Sequence, residues 1–100
     1  MQGQFRSTGR FSTPNAQKYM VQLCKHFGHK VPAEVEGDAG QVTFGMGLAQ
    51  MQSDDQALTV VLSGDSGEAV ASLQEVIDSH LQRFAFREEF SGMDWSVVAA

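Results

Sequence analysis

Between Val31 and Leu62 apolar side chains recur at every second residue, in runs parted by short turns, and this pattern leaves few folds open. Val31, Ala33 and Val35 alternate with Glu34 and Glu36, as in a strand with one buried face. "GDAG" (37–40) turns the chain into "QVTFGMG", where Val42, Phe44 and Met46 share a side. Gly45 and Gly47 predict a bulge or bend there, with "LAQMQ" continuing the run. "SDDQ" (53–56) then leads into "ALTVVLSG", with Leu58, Val60 and Leu62 directed inward. Turns this short join antiparallel neighbours. Glu34, Glu36, Gln41, Thr43 and Thr59 fall on the opposite face, so that face is expected to be polar, acidic and uncovered.

Helices flank this region. "QFRSTGRFST" reads as a strand that ends in a Ser-Thr-Pro-Asn cluster. Ser12 or Thr13 is placed to cap a helix running from about Pro14 to Phe27, and Gly28 to end it as a left-handed cap. At about 100° per residue, Ala16, Tyr19, Met20, Leu23, Cys24 and Phe27 share one arc, with Lys18, Lys25 and His29 opposite. A second helix begins at an Asp65 or Ser66 cap. Its apolar arc gathers Ala69, Leu73, Val76, Ile77, Leu81 and Phe84. His80 falls inside that arc, Arg83 at its edge, and Arg87 along the same line near the C-terminal end.

The expected architecture is therefore a single α+β domain over residues 1–100: a two-layer, curved, mainly antiparallel sheet with two helices on one face. The order is β-α-β-β-β-α with a short last strand around Trp95. It is similar to the TATA-binding-protein-like arrangement in topology only; the competing order is the ferredoxin-like β-α-β-β-α-β.

Charge is unevenly spread. Residues 1–30 hold Arg6, Arg10, Lys18, Lys25 and Lys30 and no acid, while residues 31–100 set Arg83 and Arg87 against all twelve acids. A sequence pI near 4.9 and the lack of an aromatic-interleaved basic patch exclude nucleic acid as the expected partner. No stretch approaches the roughly 18 apolar residues of a membrane span. The N-terminus lacks a signal-type apolar run, and Cys24 is the sole cysteine, so a cytoplasmic location is expected.

Few residues carry recognisable chemistry. Cys24 and His26, two apart on a helix, point about 160° from each other and cannot chelate together. His26 and His29 can converge, and His80 completes a three-imidazole set if the helices are neighbours. The expectation is nevertheless no metal and no cofactor, with His26 at the stripe margin beside Tyr19 and His29 solvated. No nucleophile sits in an activated context, so no catalytic residue is assigned. Arg83 and Arg87 lack acids at helical spacing in the preceding turns; Asp94 is a natural partner, or an external anion. The candidate ligand- or anion-binding residues are thus His80, Arg83, Arg87, His26 and Tyr19.

"KYMVQLCKHFGHK", followed much later by "HLQRFAFREE" and a terminal tryptophan, resembles the bacterial domain-of-unknown-function family numbered 2218. The resemblance spans Ser7 to Trp95; Tyr19, Leu23, Cys24, His26, His80, Arg83, Phe84 and Arg87 match its recurrent pattern. It supplies no catalytic residues. Domains of that family occur alone or attached to siderophore-interacting flavin reductases, which implies a place in iron acquisition. Two functions stay open: a non-enzymatic accessory or interaction module with a protein partner in siderophore or iron handling, or a small-ligand or metal-dependent enzyme centred on His26 and His80. The expected assembly is a monomer or weak homodimer.

Overall fold

The computed structural model describes residues 5–88, 90 and 92–99. Gln4, where the first strand is expected to open, and Glu89 lie outside them. The elements are β1 (Phe5–Ser12), α1 (Ala16–Phe27), β2 (Ala33–Glu36), β3 (Ala39–Phe44), β4 (Gly47–Ser53), β5 (Ala57–Gly64), α2 (Gly67–Phe84), a 3-10 turn (Phe86–Glu88) and β6 (Asp94–Ala99). The strands form one antiparallel sheet in the order β2-β3-β4-β5-β1-β6. Both helices pack on one face, α1 over β2 to β5 and α2 over β4, β5 and β1. The α+β two-layer expectation holds, and the short last strand exists. The ferredoxin-like order does not, because four strands separate the helices.

The middle of the chain differs from expectation by one strand. Phe44 pairs with Gly47, so Gly45 and Met46 are a two-residue hairpin loop and not a bulge in a continuing strand. Glu36 pairs with Ala39 in the same way, around Gly37 at φ 63°, a conformation glycine adopts without strain. Asp54 closes the next turn by accepting the Gln56 and Ala57 N–H groups on Oδ1, each at 2.8 Å.

Inward residues build one core. The expected α1 arc is buried in full, and α2 contributes Val70, Leu73, Ile77 and Leu81. Ala69, Val76 and Phe84 lie only at the margin of that arc. Leu58, Val60 and Leu62 are completely buried, as their alternation predicts. Val35, expected inward, is exposed because β2 is an edge strand, and Met46 is exposed because it sits in the hairpin loop. Buried Ser7 on β1 is paired, accepting from Gln74 Nε2 of α2 at 2.6 Å, whereas the buried Gln22 Oε1 has no hydrogen-bond partner among the described residues.

Helix ends also differ in detail. Asn15 is the residue before α1; Thr13 Oγ1 accepts the Asn15 N–H at 3.1 Å instead of capping the helix itself. Gly28 is right-handed (φ −61°), so the chain leaves α1 through a further turn and not a left-handed cap. Ser66 caps α2, its hydroxyl accepting the Ala69 N–H at 3.1 Å. No helix among the described residues is long and apolar enough to cross a membrane.

Candidate functional site

His26 stands in the last turn of α1 and His80 in the C-terminal half of α2, and the packing of the two helices brings their rings together. The Nε2 atoms are 3.1 Å apart. His80 Nδ1 lies 2.7 Å from the Val76 carbonyl, which fixes that nitrogen as the donor and leaves Nε2 as the acceptor of a proton from His26. The rings of Phe27 and Phe84 flank the pair, with Phe27 edge-on to both imidazoles. Desolvation, ahead of the charge of neighbouring His80, holds the His26 pKa below the usual imidazole value. His26 is exposed and His80 half-buried, so the pair opens to solvent. His29 is exposed and contributes charge to His26 without joining the hydrogen bond.

His80→Ala removes an edge-on aromatic contact and an intrahelical hydrogen bond on a half-buried residue. The expected loss is about 1 kcal/mol. A shift in the urea midpoint at constant slope measures it, and an unchanged midpoint would mean that the ring contacts contribute nothing.

The other candidate residues lie apart. Tyr19 is 4% exposed and belongs to a separate cluster at the opposite end of α1. Its hydroxyl donates to Glu88, which also accepts from Thr13 Oγ1 at 2.7 Å and Asn15 Nδ2 at 3.0 Å. Arg83 is exposed and close enough to add its charge to His26. Arg87 is not on α2 at all, since the helix ends at Phe84; it sits in the 3-10 turn, with its guanidinium 5.7 Å from the Phe86 ring centroid. Asp94 is the cross-strand neighbour of Arg10 on β1 and not of either arginine. The five residues therefore divide into a His26–His80 site with Arg83 at its rim, a Tyr19 lock and a detached Arg87.

The uncovered sheet face is the second candidate. Register sets Glu36, Ala39, Gln52, Thr59, Arg10 and Asp94 side by side across the six strands. The next row runs Glu34, Gln41, Gln50, Val61, Thr8 and Ser96, and a third holds Thr43, Leu48, Ser63 and Arg6. This face is not acidic throughout, as the acids of β2 alone suggest. It is acidic at β2, neutral over β3 to β5, basic at Arg6 and Arg10 of β1, and carries one further acid, Asp94 of the edge strand β6, beside Arg10. Four strand spacings of about 4.8 Å part the β2 acids from the β1 arginines by about 19 Å, beyond the screening length of about 8–10 Å, so these two groups do not neutralise each other. Near the Arg6 end the face sinks into a depression of about 520 Å³ lined by Thr43, Phe44, Met46, Leu48 and Gln50.

Lys18 and Lys25 are exposed on α1, across the sheet from Glu34 and Glu36. Two positioning residues escaped the sequence pattern, Glu88 and Asp78. Asp78 accepts the Met93 N–H at 3.0 Å and the Trp95 indole N–H at 2.9 Å. Neither carries a local sequence signal, because their partners lie on other elements.

A solved structure shares this arrangement: the NMR structure of PA4090 from Pseudomonas aeruginosa superposes with a TM-score of 0.76 at 29% identity, over 94% of this chain and 95% of that one. No curated protein matches the chain. A family model for an uncharacterized protein conserved in bacteria, DUF2218, matches residues 8–96. The chain belongs to that family.

Proposed function

We propose that the domain is a non-enzymatic interaction module that receives a protein partner on the open face of its sheet, in siderophore or iron handling. The observation that carries this reading is the charge-graded face, with acids on β2, arginines on β1 (Arg10 beside Asp94 of β6) and a neutral Gln/Thr centre containing Leu48 and Val61. Exposed charge pairs contribute only about 0.2–1 kcal/mol each, so the two ends orient a partner while the centre and the depression near Arg6 supply contact area. The iron context comes from the family resemblance, through relatives attached to siderophore-interacting flavin reductases.

The test is an NMR titration of the 15N-labelled domain with a purified siderophore-interacting flavin reductase from the same organism. Shifts are expected at Arg10, Thr59, Gln50 and Gln41, weakening as salt rises. An Arg6→Glu/Arg10→Glu variant is expected to bind about tenfold more weakly or worse. Shifts confined to the helical side, or none at all, would sink the proposal.

A second reading, a small-ligand or metal-dependent enzyme centred on His26 and His80, is favoured by the convergence of those two rings. It requires turnover that disappears in His80→Ala while binding at the sheet face persists.

A further inference from the structure

We propose that His26 and His80 form an exchangeable two-imidazole site for a late first-row divalent cation such as zinc or nickel. Two nitrogens held about 2.0–2.1 Å from one ion lie about 2.9 Å apart at a right angle and about 3.4 Å apart at the tetrahedral angle. The observed Nε2–Nε2 separation of 3.1 Å falls between these values, so an ion can enter with little movement of either helix. Imidazole nitrogen suits zinc, copper and nickel, with nickel and copper favoured by the general affinity order.

His80 is already oriented for this role. The hydrogen bond from its Nδ1–H to the Val76 carbonyl is the outer-shell contact that ligating histidines commonly make, and it directs the Nε2 lone pair toward His26. In the neutral pair His26 Nε2–H donates to His80 Nε2. Metal binding moves that proton to His26 Nδ1 and gives both Nε2 lone pairs to the ion, with no net proton released. The C-terminal end of α1, one residue beyond His26, adds partial negative charge at the site.

Among the described residues no group of three or more histidines, cysteines or carboxylates is placed to hold a metal. The remaining positions therefore fall to water or to a ligand brought from outside. Lys30 and Arg83 add positive charge around His26, which weakens a bare dication and favours one carrying an anionic co-ligand. This site is on the helical side and does not depend on the sheet-face proposal; either can fail alone.

Untagged protein, stripped with EDTA and dialysed, is titrated with zinc chloride and nickel chloride by calorimetry in a non-coordinating buffer at slightly alkaline pH. One ion per chain is expected, with long-range 1H–15N spectra showing both Nε2 atoms bound. His26→Ala and His80→Ala should each weaken binding about tenfold or more, with the fold checked by circular dichroism, while His29→Ala leaves it unchanged. His26 is exposed, so its replacement does not put the core at risk. Absence of saturable binding with either ion, or binding that survives in the His26→Ala/His80→Ala double variant, overturns the proposal.

Discussion

Replacing Glu88 by alanine is expected to lower stability by about 2–4 kcal/mol, although the residue is only half-buried and lies outside both helices. Its carboxylate accepts from the Thr13 and Tyr19 hydroxyls and from the Asn15 side-chain amide, joining the turn after α2 to the start of α1. Truncation removes all three bonds at once and leaves the Tyr19 hydroxyl, on a residue 4% exposed, without its acceptor. Glu88→Gln keeps the volume and one acceptor oxygen, so it should cost about half as much. Equal losses for the two variants would assign the effect to charge alone.

The same cluster sets a pH window. The Tyr19 hydrogen bond is the main cause holding the Glu88 pKa below its ordinary 4.5. The folded state therefore binds this proton more weakly than the unfolded chain does. Its stabilisation is present above 4.5 and is lost as pH falls through the lower folded value. Burial, then Glu88, raises the Tyr19 pKa above 10.0, so the folded state retains that proton longer and stability declines as pH climbs past 10.0. Urea midpoints across pH should show both shoulders in the native chain; Glu88→Ala should lack the acid shoulder and keep a smaller alkaline one, because burial of Tyr19 remains.

The features legible in sequence were those with a local period. The α1 arc, the inward residues of β5 and the Ser66 cap each rest on neighbours within a few residues. The missing strand shows how such a period can mislead. A two-residue hairpin shifts the inward residues from even to odd numbers, as from Val42 and Phe44 to Ala49 and Met51. Leu48 hides that change, because with Val42, Phe44 and Met46 it extends the even-numbered run while facing the open side. At the candidate site, the wheel puts His80 on the inner arc, but no wheel reports that its Nε2 meets a ring on another helix. Arg6 and Arg10 were visible as charge. Their place opposite the β2 acids needed the strand order, in which β1 enters beyond β5.

The last strand depends on a side-chain pin as well as on its ladder. β6 pairs with β1 alone and is an edge strand. Asp78 on α2 accepts both the Met93 N–H and the Trp95 indole N–H, tying the entry to β6 back onto the core. Trp95 then lies over Gly9 of β1 so closely that an added Cβ there would come within 2.6 Å of the ring. Asp78→Ala leaves two donors unpaired in a partly buried place and should cost about 2–3 kcal/mol; Trp95→Phe keeps an aromatic ring, loses the N–H and should cost about 1–2 kcal/mol. Because both changes break the same bond, the double variant should fall short of their sum by about 1 kcal/mol. Circular dichroism in urea is the suitable readout, since Trp95 is the sole tryptophan and its fluorescence vanishes with it. Strict additivity would mean that ladder and ring packing hold β6 without the pin. A coupling of the expected size would make Asp78 the residue through which α2 reads the position of the last strand.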